Sequence, residues 1–92
     1  MKNVPAIEHV PGRFQTVVEG RICVCDYRIV DRVMQFTHTG VPPAVEGRGI
    51  AAALVEAALA HARAEGLKVD PICSYVRLYM QRHPETQDLL AS

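Results

Sequence analysis

Cys73 stands in the segment Pro71-Ile72-Cys73-Ser74-Tyr75-Val76, where a strand-like run gives way to a helical pattern. A thiol at a helix start has its thiolate stabilised by the helix dipole, which makes Cys73 a candidate nucleophile. The alternative is a cysteine packed as a small apolar side chain. Tyr75 and Tyr79 are four residues apart and share one helix face, a spacing that packing alone would also explain. His38 ends a strand-like run, where an imidazole is either a base near neutral pH or a surface side chain. The last feature is the turn Glu46-Gly47-Arg48-Gly49-Ile50-Ala51, which opens directly into an alanine-rich amphipathic pattern. Helix N-termini carry unpaired N–H groups and the positive end of the dipole, and Gly47 and Gly49 let an anion approach them closely. Residue types and spacing therefore describe a cradle for a phosphate or pyrophosphate.

Other glycine loops fit less well. No Gly-Lys-Ser/Thr follows the turn, so it is not a P-loop, and no Gly-x-Gly-x-x-Gly is present for a dinucleotide. Four histidines and three cysteines occur without C-x-x-C or H-x-x-x-H spacing, which argues against zinc. Cys23 and Cys25 fall on one face of a strand-like run and read as core residues. His61 lies at the margin of a helix's apolar arc and reads as structural. His9 and His83 have no partners in sequence.

Elements must position these side chains. Residues 1–12, with Pro5, Pro11 and Gly12, read as an irregular lead-in or edge strand. Phe14–Glu19 alternates with Phe14, Thr16 and Val18 on one face. Glu19-Gly20-Arg21 marks a turn, and Ile22–Val30 alternates with Cys23, Cys25, Tyr27 and Ile29 together. After Val30-Asp31-Arg32, a third run, Val33–Thr39, places Met34, Phe36 and His38 on one face. Three such strands predict an antiparallel meander. A helix is predicted from about Arg48 to Glu65, stopping at Gly66, with Ile50, Ala51, Leu54, Val55, Ala58 and Ala62 in one arc. Lys68–Ile72 reads as a returning strand, Cys73–Arg82 as a helix, and about Pro84–Leu90 as a final short helix. The expected fold is α+β, a mixed sheet in which an antiparallel meander is followed by a β-α-β-α unit.

Composition sets the class. Ninety-two residues, 49% hydrophobic and 22% charged, predict one folded domain spanning 1–92. Ten basic and ten acidic residues balance, so no basic footprint for nucleic acid is expected. The apolar run Gly49–Val55 is far short of a bilayer span of roughly 20 residues, so no membrane association is expected. The N-terminus does not read as a secretory signal, and an odd number of cysteines fits a reduced, cytoplasmic protein.

The glycine turn resembles the pyrophosphate loop of the GNAT superfamily of acetyl-CoA-dependent N-acetyltransferases, Gln/Arg-x-x-Gly-x-Gly/Ala. Gly49 takes the central glycine, Ala51 the final small residue, and Glu46 the Gln/Arg place. A small single-domain subgroup of that superfamily is the closer match. Its Pro-Pro-x-x-x-Gly-x-Gly-Ile/Val-Ala entry is matched by Pro42, Pro43, Gly47, Gly49, Ile50 and Ala51. Its later Pro-x-Cys-Ser-Tyr/Phe-Val segment is matched by Pro71–Val76. The resemblance covers about Phe14 to Leu90. It implies that the strand ending near His38-Thr39 and the strand Lys68–Ile72 splay apart, and that acetyl-CoA enters the gap as co-substrate. The pyrophosphate would rest on Gly47, Arg48, Gly49, Ile50 and Ala51, with Arg48 supplying local positive charge because Glu46 cannot. The thioester would lie near Cys73, as nucleophile or neighbour, with His38 as base and Tyr75 or Tyr79 as the acid that protonates the leaving thiolate. The acceptor would be an amine. The acceptor side would be open, or completed by a partner, a second copy of the chain included. The other implied reading is a CoA-binding or protein-interaction module with little or no turnover.

Overall fold

The computed structural model describes residues 5–91. Four strands, β1 (Glu8–Val10), β2 (Arg13–Val18), β3 (Arg21–Val30) and β4 (Val33–Gly40), form an antiparallel meander. The chain then crosses through α1 (Ile50–Ala64) and returns as β5 (Lys68–Pro71), which pairs with β4 in parallel. Helix α2 (Ser74–Gln81) and a 3-10 segment, Pro84–Leu89, complete an α+β fold on a sheet of order β1-β2-β3-β4-β5. Among the described residues no helix is long and apolar enough to cross a membrane.

Two hairpins fix the meander. Glu19-Gly20 and Asp31-Arg32 all have positive φ, the geometry of two-residue turns whose twist matches that of the flanking strands. Arg32, at φ 62°, is an unusual residue for that geometry. Its guanidinium donates to the carbonyls of Glu65 and Gly66 at 2.9 and 3.2 Å, satisfying carbonyls that the end of α1 leaves free. One side chain thus ties the β3–β4 turn to the end of the crossover helix.

The core lies between one face of the sheet and the two helices. Phe14, Thr16 and Val18 of β2, Cys23 and Cys25 of β3, and Met34 and Phe36 of β4 are buried, as their alternation predicts. From α1 they meet Ile50, Leu54, Val55, Ala58, Leu59 and Ala62, and from α2 Val76 and Met80. Ala51 is only half-buried, and Leu59 takes a place in the buried face. The small side chains of α1 let its axis lie close to the sheet. Ile29 shares the inward register but is 48% exposed.

One expectation is corrected. A bulge interrupts the β3–β4 register, which runs Asp26↔His38 and then Tyr27↔Phe36, leaving Thr37 as the extra residue. Past it, alternation inverts. Phe36 and Thr39 face the core side, Thr39 directly across from Cys25, whereas His38 pairs with Asp26 on the opposite face. His38 therefore does not share a face with Met34 and Phe36. It is exposed, and its ring lies against Gly40.

His9, without a partner in sequence, finds several in space. It stacks on Phe14 with ring centroids 4.0 Å apart, meets His61 edge-on at 4.5 Å, and hydrogen-bonds the Tyr27 hydroxyl. Burial, and then the charge of His61, holds the His9 imidazole below its ordinary value. A depressed histidine favours the fold while neutral, so this contribution is present above about pH 6.5 and lost as pH falls through the lower folded value. Thermal melts should show stability falling between pH 7 and 5, with that part of the fall absent from a His9→Gln variant. Equal slopes for the two proteins would refute the assignment.

Candidate active site

The sheet splits where β4 outlasts its parallel partner. β4 and β5 stay in register from Val33↔Lys68 to Phe36↔Pro71. The final bond across the pair runs from the Cys73 N–H to the Phe36 carbonyl at 2.8 Å. Beyond it, Thr37–Gly40 continue beside β3 alone, while the other chain turns into α2. The two strands therefore diverge at Cys73.

Two cavities lie along the N-terminal half of α1. The larger, about 550 Å³, is lined by Thr39, Gly40, Val41, Val45, Glu46, Gly47, Gly49, Ile50, Ala51, Ala52 and Tyr75. The second, about 470 Å³, is lined by Gly49, Ala52, Ala53, Glu56, Tyr75, Leu78, Tyr79, Arg82 and His83. Gly49, Ala52 and Tyr75 belong to both, so the cavities form one groove with the start of α1 at its centre.

Local sequence explains this opening. Pro42 and Pro43 suit the short 3-10 turn Pro43–Val45, which buries Val45 against the core. Gly47 and Gly49 then adopt φ 80° and 77°, left-handed values that bend the chain into α1. No side chain caps the helix, whose first intrahelical bond runs from the Ala53 N–H to the Gly49 carbonyl at 3.1 Å. Ile50, Ala51 and Ala52 hold the first-turn positions, whose N–H groups have no intrahelical acceptor. All three line the larger cavity.

Arg48 is placed differently from what the loop motif implies. Its guanidinium pairs with Glu19 of the β2–β3 turn at 2.6 Å, with both side chains about half exposed, and it lines neither cavity. Arg82, at the far end of the groove, is the arginine that lines it.

Cys73 is the N-cap residue of α2 and is half-buried. Thr39 lines the larger cavity, and its hydroxyl lies 3.6 Å from the Cys73 sulfur. Burial pushes the thiol up. The Val76 N–H, the Thr39 hydroxyl, and the backbones of Tyr75 and Thr39 outweigh burial, and the net effect is a value below that of an ordinary cysteine. The sulfur makes no capping hydrogen bond of strict geometry, so this help from the start of α2 is electrostatic. Cys25 behaves oppositely: burial pushes it up to about 12.

Tyr75 lines both cavities and Tyr79 the second, where its ring stacks on His83 at 3.9 Å. Burial raises both phenols, and for Tyr79 the carboxylates of Glu56 and Glu85 add to the effect, so both are proton donors at neutral pH. The fold brings Gly47, Gly49, Ile50, Ala51, Tyr75 and Tyr79 to one groove, with Cys73 behind its lining residue Thr39, and leaves His38 on the other face of the sheet. Thr39 escaped the sequence reading. The signal available was the polar run Thr37-His38-Thr39, which breaks the apolar alternation of Met34 and Phe36.

A sheet split beside a glycine-opened, uncapped helix defines a class, and comparison with known proteins supplies the same one. The family model for GCN5-related N-acetyltransferases matches residues 13–89, and the chain belongs to that family. It is 41% identical to Protein NATD1 of Gallus gallus over 88 residues, which cover 90% of this chain and 80% of the relative. Protein NATD1 of Homo sapiens gives the same identity, with 78% of its length covered. The NMR structure of a GCN5-like protein from Staphylococcus aureus superposes with a TM-score of 0.77 at 26% identity, covering 95% of this chain and 88% of that one. Family and fold support an acetyltransferase type of function.

Proposed function

We propose that the protein binds acetyl-CoA in the groove and passes its acetyl group to an amine by way of Cys73. The observation that carries this reading is the position of an acidified thiol where β4 and β5 part, directly behind Thr39 in the lining of a groove built on an uncapped helix start. The N–H groups at Ile50, Ala51 and Ala52 would hold the pyrophosphate, with Gly47 and Gly49 giving access, and Arg82 would meet a phosphate farther along. The pantetheine arm would run past Val41 and Gly40 toward Thr39.

The Cys73 thiolate attacks the thioester carbonyl, forming a new carbon–sulfur bond as the bond to the CoA sulfur breaks. The departing CoA thiolate takes a proton from a phenol, and Tyr75, which lines both cavities, is better placed than Tyr79. A neutral amine then attacks the acetyl-cysteine carbonyl. Cys73 leaves as thiolate, and the amine's extra proton passes through water to the tyrosine phenolate, restoring the phenol. His38, on the other face of the sheet, has no step here. Three free cysteines suit a reducing compartment, and we place this single-domain protein in the cytoplasm.

A second reading, a CoA-binding module without turnover, is favoured by one observation. Glu46, the acidic residue of the loop, lines the larger cavity while Arg48 is held by Glu19. Calorimetric titration with acetyl-CoA and CoA, followed by intact-mass and peptide mapping, separates the two. We expect binding of both and an acetyl adduct confined to Cys73 that disappears when amines are added. Binding without an adduct or CoA release would favour the module, and absence of binding would overturn both.

A further inference from the structure

We infer that Thr39 is a positioning residue for Cys73: of the two sulfurs near its hydroxyl, those of Cys25 and Cys73, the hydroxyl donates its proton to that of Cys73. The inference rests on the proposed role of Cys73 and names what tunes it.

Geometry comes first. The bulge at Thr37 turns Thr39 inward, into register with Cys25, and sets its hydroxyl 3.6 Å from the Cys73 sulfur. Without that extra residue, His38 would stand in its place. A hydroxyl carries one proton and two lone pairs, so its direction depends on which neighbour must donate. Cys25 is fully buried, and burial pushes it up to about 12, so it remains a thiol across the working range. A thiol is a weak donor and a poor acceptor beside a thiolate. The hydroxyl proton therefore turns to Cys73, where the acceptor is charged and the bond stronger. The nearest cation on α2 is Arg77, whose guanidinium donates to the Ile72 carbonyl at 3.0 Å. The groups set against Cys73 are Thr39 from β4, Cys25 from β3 beyond it, and the backbone of Tyr75 and Val76 from α2. Neutral hydrogen-bond donors lower the thiol, and Thr39 provides the side-chain share.

The experiment follows alkylation of Cys73 by iodoacetamide in the full chain from pH 5 to 10, with peptide mass spectrometry to exclude the buried Cys23 and Cys25. Thr39→Val, close to isosteric, should move the midpoint upward and slow alkylation at pH 7 by about tenfold, the factor of one pKa unit. Thr39→Ser should restore the wild-type profile, which a merely structural role would not require. Should valine not be accommodated, Thr39→Ala gives the same readout. Coincident midpoints for wild type and the valine or alanine variant would overturn the inference, as would a serine variant no faster than valine. Alkylation needs no acetyl-CoA, so failure of Cys73 to take up acetyl would refute the transfer mechanism and leave this result readable.

Discussion

Replacing Cys73 with alanine is expected to abolish the acetyl adduct and to lower amine acetylation by about 100-fold or more, while acetyl-CoA affinity changes by less than about threefold. The two effects separate because Cys73 stands behind Thr39 and lines neither cavity. Removing it takes away the nucleophile and leaves the surfaces assigned to the cofactor. Serine at the same position makes a sharper test. Cys73 is the N-cap of α2 and makes no capping bond, whereas a serine hydroxyl is a good cap, so Cys73→Ser should stabilise the fold by about 0.5–1 kcal/mol. It should be as inactive as alanine, because a serine hydroxyl without a base is a far weaker nucleophile near neutral pH than a thiolate. A more stable, inactive protein that still binds acetyl-CoA would be hard to attribute to misfolding. Alanine and serine variants that both retained turnover would mean that the amine attacks the thioester directly, with Cys73 only packing.

The features legible in the sequence are those that depend on local chemistry. Alternation placed Phe14, Thr16, Val18, Cys23, Cys25, Met34 and Phe36 inward, and the 3.6-residue period placed Ile50, Leu54, Val55, Ala58 and Ala62 against them. Glycines that must take positive φ announced the start of α1. What stayed hidden depends on pairing between distant segments. The extra residue in β4 carries no composition of its own, yet it exchanges the faces of His38 and Thr39 and so changes which side chain meets Cys73. The Arg48–Glu19 pair joins residues far apart in sequence, through a hairpin whose orientation only the folded sheet defines. The aromatic cluster of His9, Phe14, Tyr27 and His61 draws on three strands and α1, and no spacing within any one of them points to it. In each case a local pattern gave the element and tertiary register chose the contact.

The largest effect on cofactor binding is expected from Gly49→Val. Gly49 holds φ 77°, a value that a β-branched residue adopts only with strain, and the substitution should cost about 1–3 kcal/mol of stability. The same glycine lines both cavities, so the added isopropyl group would narrow the groove at its centre and hinder approach to the N–H groups of the α1 start. CoA affinity should fall by more than about tenfold, since each 1.4 kcal/mol is a factor of ten. Strain and steric closure are separable by controls at other left-handed glycines. Gly20 has φ 75° in the β2–β3 turn, outside the groove, with nothing within 4 Å of an added Cβ, so Gly20→Ala should destabilise the fold and leave CoA affinity unchanged. Gly47 has φ 80° and equally open surroundings but lines the larger cavity, so Gly47→Ala should do both, with a smaller loss of affinity than Gly49→Val. The order Gly49, Gly47, Gly20 in calorimetric CoA affinity, against comparable losses in thermal stability for the two alanine variants, is what a backbone cradle requires. If affinity instead followed stability, the glycines would serve only to turn the chain, and the anion would have to be held by side chains such as Arg82.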